Sequence, residues 1–165
     1  MMRLPAPMCL VAPVLALALA NVAGPANAAT YGNARFGYSV AYPADLLVPE
    51  PEAGNGDGRQ FHARKGAAKM SVWGIYNALD QSPAEIAMDY ERDCAAGKVS
   101  YSAVSKRLVA FSCITKAGQI LYQKTLIKGD VLTTVRFEYP NSERSVWDPV
   151  VRQVAGSLAA APAGN

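Results

Sequence analysis

The stretch from Leu108 to Tyr139 constrains the fold most, because it reads as three successive strands joined by glycine turns. Leu108–Thr115 runs into Lys116-Ala117-Gly118, and Gln119–Ile127 runs into Lys128-Gly129-Asp130. Glycine turns between alternating runs are hairpin chemistry, since glycine adopts the positive φ such turns require. Val131 to Tyr139 then alternates with period two. Val131, Thr133, Val135, Phe137 and Tyr139 share one face, and Arg136 and Glu138 lie on the other. A segment of this kind builds an antiparallel sheet whose apolar face needs a cover.

The rest of the chain supplies more strands and two covering helices. Phe36, Tyr38, Val40 and Tyr42 alternate with Gly37, Ser39 and Ala41, and Pro43 stops the run. Residues 29 to 35 are small and polar and read as a loose start. Val48 to Arg59, with two prolines and three glycines, reads as a surface loop or wide turn. Gln60–Arg64 and Met70–Tyr76 read as short strands, and Val99–Val104 as a weaker one. Ser82-Pro83-Ala84-Glu85 marks a helix start by its N-cap serine, its proline at the first turn and its capping-box glutamate. Ile86, Ala87, Tyr90 and Cys94 give this helix an apolar side, and Gly97 is the expected end.

A second helix is expected over Ser142–Leu158, with Trp147, Val150, Val151, Val154 and Leu158 as its stripe. Pro149 either kinks it or takes the first position of a shorter helix capped by Asp148. Residues 159 to 165 read as a disordered tail. The expected order is β-β-β-α-β-β-β-β-α, an α+β fold with two helices packed on an antiparallel sheet.

The first 28 residues read as a cleavable signal peptide ahead of a single domain over residues 29 to 158. Arg3 gives a positive start, Met8 to Ala20 is an uncharged apolar run of 13 residues, and Ala26-Asn27-Ala28 is a small-x-small cleavage pattern. A spanning helix needs roughly 20 apolar residues, so a retained anchor is disfavoured. The expected cut follows Ala28 and places the product in the periplasm or outside the cell. Arg3 is the leader's only charge, so its removal lowers the net charge of +3 by one. A balance that near to zero gives no electrostatic footprint for nucleic acid or an anionic membrane. Cys9 leaves with the leader, and Cys94 and Cys113 remain as an even pair where oxidation is expected, which points to a disulfide. Cys113 shares strand parity with Val109 and Phe111, so the bridge is expected to pin the first helix to the sheet.

The pattern resembles the PsbP-like fold, a group that also includes DcrB-type bacterial envelope proteins and a Ran-binding nuclear import factor. Phe36-Gly37-Tyr38-Ser39-Val40-Ala41-Tyr42-Pro43 resembles that group's glycine-aromatic strand ending in Tyr-Pro. Trp147-Asp148-Pro149-Val150-Val151 through Ser157-Leu158 resembles its final helix. Tyr90-Glu91-Arg92-Asp93-Cys94 is similar to small exported bacterial proteins of unassigned role. The resemblance spans residues 31 to 158. It implies an α/β/α sandwich and a binding or assembly role more often than catalysis, and it transfers no functional residue.

Candidate chemistries are few. His62 is the only histidine, so a zinc site or a Ser-His or Cys-His nucleophile would have to use it. With Gln60 and Arg64 at the same strand parity, it reads as a surface group. Asn55-Gly56-Asp57-Gly58 hints at a calcium loop, but Ala53 and Arg64 occupy the positions of the most charged ligands. Glu85, Asp89 and Asp93 recur every four residues as an acidic stripe, which reads as a solvated helix face. Arg59, His62, Arg64, Lys65 and Lys69 cluster on one hairpin. They form a possible interaction patch for an anionic partner, beside the plainer role of keeping a sheet edge soluble. Trp73 and Tyr76 have opposite parities, which suits a central strand or one with an exposed binding face.

These observations lead to an expected function. The chain reads as a small exported binding or assembly module with no catalytic residue, metal or cofactor, whose partner is an envelope protein or a polysaccharide. The alternative is a metal-free hydrolase or lyase that acts on cell-wall or carbohydrate material through two carboxylates about 5 to 10 Å apart in a cleft. A purely structural envelope component is a third reading.

Overall fold

The computed structural model describes residues 27 to 160. The expected leader up to Ala26 and the last five residues of the expected tail lie outside the described residues. Five strands come first: β1 (Ala28–Asn33), β2 (Tyr38–Pro43), β3 (Leu47–Glu52), β4 (Gly58–Ala63) and β5 (Lys69–Tyr76). Helix α1 (Pro83–Tyr90) and a 3-10 turn (Glu91–Asp93) lead into β6 (Cys94–Ser105), β7 (Leu108–Thr115), β8 (Gln119–Lys128) and β9 (Val131–Pro140). Helix α2 (Arg144–Ser157) and a short β10 (Ala159–Ala160) follow.

Seven strands form one antiparallel sheet in the order β3-β4-β5-β9-β8-β7-β6, and β1, β2 and β10 form a second small sheet. The α+β class, the two helices and the hairpin run β7-β8-β9 agree with the sequence. Parity then fixes the layers. Phe61, Met70, Val72, Val135 and Phe137 bury one face of the large sheet against α2 (Trp147, Val150, Val151, Val154) and β2 (Tyr38, Val40, Tyr42). On the opposite face, α1 sets Ile86 and Ala87 on Val109 and Leu132, and Tyr90 borders Phe111, Cys113 and Leu121. Burying the Val, Leu, Ile, Phe and Met side chains among them stabilises each by about 1.5–3 kcal/mol relative to exposure.

Several expectations are corrected. Residues 28 to 33 are a strand, with Tyr31 opposite Val40. The expected loop at 48 to 59 contains β3, where Val48 pairs with His62 and Pro49 with Phe61. Prolines are tolerated there because β3 is an edge strand and its outer N–H groups have no ladder partner to lose. Ala159–Ala160, assigned by sequence to the tail, pair with Ser39 and Tyr38. Phe36 falls in the turn before β2, and its ring fills the space that Gly74 leaves open.

The start of α1 matches its sequence signals. The Ser82 hydroxyl accepts from the Glu85 N–H, and the Glu85 carboxylate accepts from the Ser82 N–H. The helix ends at Tyr90, seven residues before Gly97. Cys94 therefore opens β6, and the expectation that the disulfide pins the first helix to the sheet is corrected. Cys94 and Cys113 are bridged, with Cα atoms 5.8 Å apart, across the neighbouring strands β6 and β7. Pairing of β6 with β7 overrides the helical apolar spacing of Tyr90 and Cys94. Gly97 does take a positive φ of 66°, but in an irregular part of β6. Helix α2 runs through Pro149, so the shorter helix capped by Asp148 does not form.

Candidate functional site

Helix α1 covers only the β6–β9 half of its face. Over β3, β4 and β5 the same face stays open, because its residues there are largely polar. Register brings Gln60 beside Ser71 and His62 beside Lys69, and it continues Lys69 to Glu138 and Ser71 to Arg136. Glu50 on β3 and Trp73 on β5 complete a groove of about 890 Å³. Gly58 lies directly opposite Trp73, where a Cβ would fall 2.1 Å from the Val72 carbonyl oxygen. Only glycine allows β4 and Trp73 this close, so Gly58 sets the shape of the groove at that end.

The charges in the groove are mostly consumed by one another. His62 Nδ1 pairs with Glu50 Oε1, both side chains being about half exposed. Arg136 donates to Asp93 Oδ2 at 2.6 Å and to Glu138 Oε1 at 2.7 Å. Asp93 reaches in from the turn after α1, so this network joins the wall of the groove to its floor. Lys69 makes no ion pair among the described residues. The His62–Glu50 contact is exposed and contributes little to stability, whereas Arg136 is only 23% exposed; together these contacts leave the groove near electrical balance.

Ser71 stands on the strand beside that of His62, and among the described residues no hydrogen bond joins the two. Glu50 and Glu138 both face the groove. Their strands are three spacings apart, about 14 Å between backbones; Glu50 contacts His62, and Glu138 is held in an ion pair with Arg136.

The residues singled out in the sequence are distributed as follows. His62 and Lys69 lie in the groove, and Arg64 donates to the Ala44 carbonyl oxygen at 3.0 Å. Arg59 turns to the other face, its guanidinium 5.0 Å above the Tyr31 ring. Lys65 is on the exposed turn. The basic residues of that hairpin thus divide between two faces. Along the acidic stripe, Glu85 caps α1, Asp89 pairs with Arg92 and Asp93 with Arg136. Asn55 donates to Asp57 at 2.6 Å, so the glycine-rich loop closes on itself. No cluster of three metal-ligating side chains occurs among the described residues.

Glu50, Gln60, Ser71, Arg136 and Glu138 were not singled out as a site. Their signal was a shared polar parity in four separate strands, and only the strand order brings these strands together.

Burial shifts several tyrosines. Tyr38, Tyr139, Tyr31, Tyr90 and Tyr122 all have hydroxyls that ionise above the ordinary value of 10.0, chiefly because burial disfavours the phenolate. These groups belong to the packed layers and do not line the groove.

No family model and no curated protein matches the chain. Among solved structures it is similar to the solution structure of cyanobacterial PsbP (CyanoP) from Synechocystis. The TM-score is 0.58 and the identity 13%, over 84% of this chain and 95% of that one. The fold is PsbP-like. This bears out the resemblance seen in the sequence, and at such identity it speaks for architecture alone.

Proposed function

We propose that the chain is an exported, non-catalytic binding module of the bacterial cell envelope, and that the open groove receives a polysaccharide segment. The observation that supports this reading is the groove itself, a polar sheet face left bare by α1 with its charges internally balanced. Such a surface offers hydrogen-bonding groups in a row and one partly exposed indole. That suits a neutral polar chain better than an ion. The leader pattern and the Cys94–Cys113 bridge support export.

The two tryptophans give a direct test. Trp147 is buried at 2% exposure, whereas Trp73 lies in the groove. Soluble cell-wall polysaccharide fragments should change Trp73 fluorescence saturably, and Lys69→Ala and Gln60→Ala should weaken the change. Turnover of those fragments by pure protein would overturn the non-catalytic part of the proposal. Absence of any groove-dependent signal would overturn the ligand class. N-terminal sequencing of protein from a periplasmic fraction should begin at Ala29, and retention of Met1 would refute export by cleavage.

A further inference from the structure

The two edges of the large sheet are built differently. Edge strand β3 carries Pro49 and Pro51, alternating with Glu50 and Glu52, and its register breaks between Pro49 and Glu52. Prolines, charges and bulges are the devices that keep an edge from pairing with another chain. Edge strand β6 has no proline or charge in its second half, and beyond a register shift between Val99 and Tyr101 it pairs regularly with β7 as far as Ser105. It is 12 residues long, and Val99 to Ser105 contains no charge, proline or glycine. Val99, Tyr101 and Val104 are 40%, 49% and 49% exposed. Among the described residues no strand lies on its outer side, so a row of backbone donors and acceptors faces outward.

The flanks of this neutral run restrict what can pair with it. Lys98 precedes it, Lys106 and Arg107 follow it, and no acid lies between Cys94 and Arg107. A second copy is a poor fit. It brings the same bases, Lys98, Lys106 and Arg107, to both sides of the seam with no acid in the run to offset them, and like charges across a strand pair are destabilising. An extended segment with a neutral β-forming centre and acidic residues at both ends satisfies the same edge in either direction.

We propose that β6 is a docking edge that takes an acidic-flanked extended segment of another protein as an eighth strand. Backbone hydrogen bonds supply the attachment, and Lys98, Lys106 and Arg107 select the partner. This site is separate from the groove and does not depend on the polysaccharide reading.

The test uses two synthetic peptides with the same alternating threonine-valine centre, one flanked by paired glutamates and one by paired lysines. Amide spectra of labelled protein should show saturable shifts in Val99 to Ser105 and in β7 with the glutamate peptide. The lysine peptide should bind at least about tenfold more weakly. The combined variant Lys98→Glu, Lys106→Glu, Arg107→Glu, all on exposed positions, should reverse the order. Equal binding of both peptides, shifts confined to other strands, or a dilution-sensitive dimer that protects β6 without peptide would each overturn the proposal.

Discussion

Reducing the Cys94–Cys113 bridge should destabilise the domain by an amount the chain itself sets. The cysteines are 19 residues apart. Closing a loop of that length removes about 11 cal/mol/K from the unfolded chain, roughly 3 kcal/mol at 25 °C. For a domain of this size that corresponds to a fall of roughly 10 °C in Tm. Reduction isolates this effect better than substitution does, because both sulfurs stay in place and no cavity opens around Cys113, which is 1% exposed. The assay is a pair of thermal melts followed by circular dichroism, with and without reductant, and with thiol alkylation to verify each state. A fall near 10 °C with unchanged native spectra is the expected outcome. The bridge also holds down the irregular start of β6, where pairing jumps from Cys94–Thr115 to Val99–Cys113. Amide exchange between these points should therefore accelerate first. If the two melts coincide within about 2 °C, the loop-entropy reasoning fails. If only the start of β6 loosens while Tm holds, the bridge acts locally and not on the unfolded chain.

Three other outcomes follow from the packing. Gly58→Ala should cost at least about 2 kcal/mol in urea unfolding, because its Cβ would meet the Val72 carbonyl oxygen and the Trp73 backbone, neither of which can turn aside; an unperturbed midpoint would refute the close approach. Gln123→Leu should stabilise by about 1–2 kcal/mol, since both amide atoms are buried with no hydrogen-bond partner among the described residues, and lower stability would show that the amide is satisfied in solution. The fold should fail in alkali. The five tyrosines ionise at higher pH folded than unfolded, so the folded state holds more protons. Stability is fully present below pH 10 and falls as pH rises beyond it. Lys124, whose burial lowers its pKa, opposes this weakly. Tyrosinate absorbance from these five should then appear together with loss of the circular dichroism signal, and titration of all eight tyrosines near 10 with the fold intact would contradict the burial.

Local signals carried the elements whose neighbours in sequence are also neighbours in space. The β7-β8-β9 run was legible because glycine turns and parity sit within one stretch, and the start of α1 because its capping box spans four residues. The exit of α1 was not. Tyr90 and Cys94 keep a helical apolar spacing, and only long-range pairing with β7 extends Cys94 into a strand. Strand β3 was hidden by Pro49 and Pro51, which mark a loop unless the strand is known to be an edge. The groove was half legible. His62, Gln60 and Arg136 each sit at a polar parity, but the order β4-β5-β9 joins segments more than 60 residues apart in sequence, and nothing local encodes that.

The small sheet has a consequence for how the molecule is oriented. Ala28 and Ala160 both belong to strands that flank β2, in the layer that also holds α2. The described chain therefore enters and leaves on the side of the large sheet turned away from the groove. A tether that continues directly from Ala28 or Ala160 therefore starts behind the groove, on the side away from its mouth.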